Sequence, residues 1–204
     1  MVKIQVSKPE KEVKAAAKLI ESFLKMNGLS DKLTICLDYS LKCLGIYYYY
    51  DATEDTKRVN PNKIYVNPSM CADFHKKKPS GFGYTDDFTC QGVLLHEFCH
   101  FIDRRLGLEA KFASETVINK NCDTAPERLA ELFRLYITNP YFLFTISKPD
   151  YDFFREFVVT PVPASKEKFI ALYNSWSPKV KRECLAKWGI YVKGDEVYHE
   201  DRSK

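Results

Sequence analysis

The sequence predicts an α+β fold, and three observations in it carry that prediction. Short segments rich in β-branched and aromatic residues lie in the first third of the chain. From there on, helix start and stop signals recur up to the charged C-terminal tail. The chain has 204 residues, 45% of them hydrophobic and 14% aromatic, enough for one packed core. The expectation is a single domain over 1–204: an N-terminal helix and small twisted sheet in 1–82, a central helix pair in 83–140, and a helical C-terminal part in 141–204.

Each element has a local reason. Ser7-Lys8-Pro9-Glu10 has capping-box spacing and opens a helix, PEKEVKAAAKLIESFLKM, that Gly28 ends. KLTICLDYS (Lys32 to Ser40) and GIYYYYD (Gly45 to Asp51) read as strands, with Tyr47 to Tyr50 alternating across the second. DATEDTKRVNPN is a polar loop, and KIYVNPSM (Lys63 to Met70) is a third strand that Asn67-Pro68 stops. Past the glycine-rich PSGFGYTDD, Asp86 or Asp87 caps a helix from about Phe88 to Leu106, with Gly107 at its C-terminal cap. Thr124-Ala125-Pro126-Glu127 starts a second helix, which Asn139-Pro140 should stop. Three further helices are expected near Asp150 to Val158, Ser165 to Trp176 and Pro178 to Trp188.

Composition narrows the function classes. The net charge of +4 is spread over lysines interleaved with acidic residues, which suits a solvated surface, so no nucleic-acid partner is expected. No 18-residue apolar run exists, so no membrane segment is expected, and MVKIQVSKPEKEVK lacks the apolar stretch of a secretory leader. Cys36, Cys43, Cys71, Cys90, Cys99, Cys122 and Cys184 are odd in number and include no CxxC pair. They read as reduced thiols of a cytoplasmic monomer, acting in its own cell or after delivery to another, and they give no cysteine zinc ribbon.

Chemistry concentrates in VLLHEFCHFID, Val93 to Asp103. On a helix His96 and His100 stand one turn apart on one face, so both imidazoles can point at one ion. Glu97 lies beside them, able to reach a water on that ion without ligating it. This is the HExxH arrangement of two zinc ligands and a general base. The flanking Val93, Leu94, Leu95, Phe98, Phe101 and Ile102 make the helix apolar nearly all round, where unpaired charge is costly unless a metal compensates it. Cys99 points to a neighbouring face and reads as core.

A catalytic zinc takes three protein ligands and leaves a position for water. His199 lies in a charged tail and His75 in DFHKKK, both solvated in character, so the third ligand should be a carboxylate on APERLAELFRLYI. There Glu127, Glu131 and Arg134 form one narrow stripe backed by Leu129, Leu132, Phe133, Tyr136 and Ile137. Alone, such a stripe is a solvated face with a Glu131–Arg134 pair. Beside a zinc helix that lacks a ligand, Glu127 becomes the ligand, and Glu131 accepts the free ring N–H of a zinc histidine. Glu109 and Glu115 are weaker candidates. Asp103 either orients His100 or pairs with Arg104 or Arg105.

HEFCHFID followed by PERLAELFRLY resembles the catalytic domain of anthrax lethal factor and related gluzincin peptidases, including small phage and bacterial metallopeptidases. The family pattern is an HEFxHxxD helix followed by ExxAExFRL, and the resemblance covers about Gly83 to Tyr136. It implies a zincin-like fold, one Zn2+ held by His96, His100 and Glu127, Glu97 as base and Glu131 behind a histidine. It also implies a tyrosine seven residues before the ligand glutamate, to support the oxyanion. Lys120 stands there instead, so the donor is Lys120, another residue such as Tyr84, or none. The expected function is a zinc metalloendopeptidase acting on a peptide or protein, with KIYVNPSM as the edge strand that pairs with substrate. The alternative is a binding or regulatory module on the same frame without turnover.

Overall fold

Alternating apolar residues in four short segments build a mixed sheet at the N-terminal side of the protein. The computed structural model describes residues 2–5, 11–47, 62–71, 81–85, 87–120 and 122–200. Strands β1 (Val2–Gln5), β2 (Leu33–Leu37), β3 (Gly45–Tyr47) and β4 (Lys63–Val66) lie in the order β1-β2-β4-β3. β1 runs parallel to β2, opposing Ile4 to Ile35, and β2 runs parallel to β4, opposing Ile35 to Ile64. β3 closes the sheet antiparallel to β4, with Ile46 opposite Tyr65. Parallel neighbours need a crossover, and helix α1 (Lys11–Met26) supplies it between β1 and β2. Its apolar face, Val13, Ala16, Ala17, Ile20, Phe23 and Leu24, is buried at helical spacing.

Two expectations about the sheet change. The first strand, β1, falls where the sequence showed only a lead-in to the helix; four residues give too little alternation to read. KIYV is an inner strand: β4 is flanked by β2 and β3, with Ile64 and Val66 fully buried, and the edge belongs to β3. The capping box at Ser7 to Glu10, Tyr48 to Tyr50, the DATEDTKRVNPN loop up to Pro61, His75 and Asp86 lie outside the described residues.

Helix α2 (Cys90–Leu106) starts at Thr89, whose hydroxyl accepts the Gly92 N–H, and ends at Gly107 in the left-handed region at φ 59°. Helix α3 (Ala125–Thr138) starts at Thr124 with Pro126 in its first turn, as the sequence predicts. At Asn139-Pro140 α3 stops, as expected, and the chain restarts at once in a helix the sequence reading did not anticipate. Asn139 accepts the Phe142 N–H and caps α4 (Pro140–Ile146), and α5 (Lys148–Phe157) follows at once. Proline ends α3 and then occupies the first turn of α4, where its missing N–H costs nothing. Helices α6 (Lys166–Ser175) and α7 (Pro178–Trp188) fall where expected. The C-terminal part is not wholly helical, however. β5 (Ile190–Lys193) and β6 (Glu196–His199) form a hairpin turning through Gly194 at φ 61°, which places His199 opposite Ile190 on an exposed strand.

One apolar core joins these elements from α1 to β5. At its centre Phe23 meets Phe98 and Phe133 edge-on, at 5.5 and 5.4 Å between centroids, and Phe133 meets Phe154 at 5.5 Å. Those contacts lock α1, α2, α3 and α5 together, so the architecture is α+β with helices on a small mixed sheet. The seven cysteines are all free thiols, and Cys43 is the one exposed. Among the described residues, no helix is long and apolar enough to cross a membrane.

Candidate metal centre

The centre lies where α2, α3 and the edge strand meet. His96 and His100 project from one face of α2, and Glu127 projects from the first turn of α3. His96 Nε2 is 3.0 Å from Glu127 Oε2, and His100 Nε2 is 3.4 Å from Glu127 Oε1. One donor atom from each of the three lies within 4.8 Å of the others, so the group could hold a metal ion. Two imidazole nitrogens and a carboxylate oxygen are a donor set that zinc accepts.

Behind His96 the arrangement is continuous. Its Nδ1 is 2.9 Å from Glu131 Oε1, so the ring donates there and turns Nε2 toward Glu127. Glu131 Oε2 accepts from Asn119 Nδ2 at 2.8 Å and from Arg134 Nε and Nη2 at 3.1 and 2.6 Å. Burial opposes the Glu131 charge, but Arg134 and His96 outweigh it and hold the carboxyl down at about 2. His96 feels burial in the opposite sense to its neighbours: desolvation lowers it, while Glu127, Glu131 and Glu97 raise it to about 10. His100 and His96 hold Glu127 well below the usual carboxylate range.

Glu97 is buried against β3 and accepts a hydrogen bond from the Tyr47 backbone N–H. Burial pushes its carboxyl up, His96 and His100 pull it back, and Glu127 adds to the rise. The net direction is upward, toward the range in which a carboxyl takes and returns protons. Gly45 makes this approach possible. A Cβ there would stand 2.7 Å from Val93 Cγ1 and 3.0 Å from Glu97 Cγ. A cleft of about 220 Å³ opens beside these groups, with Cys43, Leu44 and Gly45 on one side, Phe88 and Val93 on another, and His96, Glu97 and Glu127 between them.

The other sequence candidates separate clearly. Asp103 is buried and accepts the Glu109 N–H at 2.7 Å, tying down the turn after α2, while Arg105 pairs with Asp31. Tyr84 is 1% exposed, stacked on Phe142 and edge-on to Trp176, and it does not line the cleft. Its place is the aromatic core under α4 and α6. Lys120 is exposed, its Nζ 5.8 Å from the ring of Phe88, at the cleft wall. Glu115 is exposed beside Arg128, and Glu109 begins a short 3-10 turn.

No protein-family model, curated protein or solved structure matches this chain. Geometry is therefore what bears on the site, and it adds residues that sequence reasoning passed over. Asn119 carried no pattern, and Asp87, expected as a cap of α2, instead holds the cap: Thr89 is the N-cap residue, because its hydroxyl and not the Asp87 carboxylate accepts the Gly92 N–H. Asp87 accepts from Gly83 N–H, Thr89 N–H and Thr89 Oγ1 at 2.8, 3.1 and 2.6 Å, organising the start of α2. Gly92 did carry a signal. A glycine inside a helix costs about 1 kcal/mol against alanine and so implies a close neighbour; a Cβ there would stand 2.5 Å from Asp87 Cγ.

Proposed function

We propose that the protein is a zincin-like, zinc-dependent endopeptidase. The observation that carries the reading is the meeting of His96 and His100 with Glu127 beside the buried Glu97, at a cleft that His96, Glu97 and Glu127 line together with Gly45 of β3. His96, His100 and Glu127 would hold one Zn2+. Bound there, zinc supplies Lewis acidity that makes water acidic enough to deprotonate near neutral pH and polarises a carbonyl. Glu97, beside both histidines, takes the proton of the attacking water and hands it to the leaving amine. Tyr47 N–H fixes the carboxylate during the exchange. Glu131 keeps the His96 ring turned toward the ion. Peptide substrates fit because the cleft is bounded by a strand edge, to which an extended chain can add by backbone hydrogen bonds, and by the apolar Phe88, Val93 and Leu44.

Glu97→Gln tests the mechanism. The variant should bind zinc as the wild type does and lose cleavage of a broad peptide library by about 10²-fold or more. Retained turnover would sink it. One observation favours a second reading, a metal-stabilised module that holds a peptide without cutting it. Among the described residues lining the cleft there is no tyrosine, lysine or arginine to support an oxyanion, and Lys120 stands outside that lining. Zinc-loaded wild-type protein that retains library peptides uncut would decide for the module.

A further inference from the structure

Among the described residues Arg134 is the largest fully buried side chain. A buried charge is costly, and an apolar side chain of similar size would fill the same space more cheaply. Its contacts explain its presence. Besides Glu131 Oε2, the guanidinium donates to the carbonyls of Tyr84 and Thr85 at 2.9 and 3.0 Å, and it lies 3.7 Å from Asp87. Asn119 reaches two of these partners, donating to Thr85 O at 2.5 Å and to Glu131 Oε2 at 2.8 Å. Glu131 Oε2 thus takes three donated hydrogen bonds, which leaves Oε1 to face His96 Nδ1. The carbonyls of Tyr84 and Thr85 belong to the turn that Asp87 ties to Thr89, the cap of the helix that carries both histidines.

We propose that Arg134 and Asn119 are positioning residues that act through Glu131 to fix the ring of His96, and that they couple it to Tyr84, Thr85 and, through Asp87, Thr89 at the opening of α2. This rests on the metal reading of His96 but not on peptide cleavage. The planar fork of arginine bonds one carboxylate and two carbonyls at once, which a lysine ammonium does less well. The effect on metal binding should then depend on the fork as well as on the charge.

The test uses the full chain carrying Arg134→Lys, Arg134→Met or Asn119→Ala. Zinc affinity is measured by chelator competition, the visible spectrum is recorded with Co2+ in place of zinc, and folding is checked by far-UV circular dichroism and urea melts. Arg134→Lys and Asn119→Ala should fold and bind zinc about 10- to 100-fold more weakly, with altered cobalt bands. Arg134→Met should be weaker still, so that lysine gives partial rescue. Folded variants with zinc affinity within about twofold of wild type and an unchanged cobalt spectrum overturn the proposal. So does a wild-type protein that takes up no zinc. Should Arg134→Met fail to fold, Asn119→Ala decides, because Asn119 lies outside the helices. Wild-type protein that binds zinc yet cuts nothing would sink the peptidase reading and leave this one standing.

Discussion

Gly45 shows how much one missing methyl group controls. Its φ is unremarkable for any residue, so space alone demands glycine: alanine would place Cβ 2.7 Å from Val93 Cγ1 and 3.1 Å from Glu97 Oε1. Either β3 lifts from α2 or Glu97 swings away from its Tyr47 N–H partner. A misplacement of about 1 Å at a reacting group can cost on the order of 10²-fold in rate. On the proposed peptidase reading, Gly45→Ala should therefore lower kcat by about 10- to 100-fold, and on any reading stability by about 1–3 kcal/mol. Zinc affinity should stay near that of the wild type, because the three atoms nearest the new methyl group belong to Val93 and Glu97, neither of them a candidate ligand. Steady-state kinetics beside a zinc titration checks this, and unchanged kcat would refute the argument. The same residue marks a limit of legibility. HExxH is readable because i, i+4 on a helix is a local geometry, whereas Gly45 and Asn119 matter only through neighbours distant in the chain. Glu131 and Arg134 were readable as a pair but not as a buried one, since a charged stripe on a helix gives no sign of what covers it.

At the scale of elements, start and stop chemistry was the reliable guide. Gly107, Thr124, Ser165 and Ser177 mark helix ends where the sequence places them, while α2 starts at Thr89 and not at Asp87. Pairing partners were not legible, and the edge assignment fell on KIYV because strand order is decided by crossovers that no local pattern records. How α3 docks on its neighbours was equally hidden. Tyr136 on α3 donates to Val158 O at 2.9 Å, binding the helix to the end of α5. Burial, reinforced by Tyr151 and partly offset by Arg155, raises its phenol to about 12. The neutral phenol is favoured in the folded state, so this stabilising contribution is complete below the unfolded value near 10 and fades as pH rises toward 12. Tyr136→Phe should cost about 1 kcal/mol at neutral pH, and the gap to wild type should shrink in alkali. Urea melts at about pH 8 and about pH 11 measure it; a gap that stays constant or widens would refute the assignment.

For the whole molecule the question is how far the fold depends on the ion that its centre would hold. The three candidate ligands come from two helices, His96 and His100 from α2 and Glu127 from α3, so a bound ion adds a cross-link between elements already in contact. The core beneath them is continuous from α1 to β5 and includes the aromatic contacts of Phe23, Phe98, Phe133 and Phe154. A core of that extent does not need the metal to exist, in contrast to small zinc domains that unfold when stripped. Zinc removal should therefore lower stability without abolishing the fold. With free zinc at about 100 times its dissociation constant, linkage adds about 2.7 kcal/mol. For a chain of 204 residues, that amounts to a rise in Tm of about 5 to 11 °C over the chelated protein. Calorimetry across a zinc series should show Tm climbing with the logarithm of free zinc, in Glu97→Gln as in the wild type, because Glu97 stands beside the donor group and not in it. Two results would break this account: a Tm indifferent to zinc, which removes the ion from the centre, or loss of the cooperative transition on chelation, which would make the ion, and not the aromatic core, the element that holds α2 to α3.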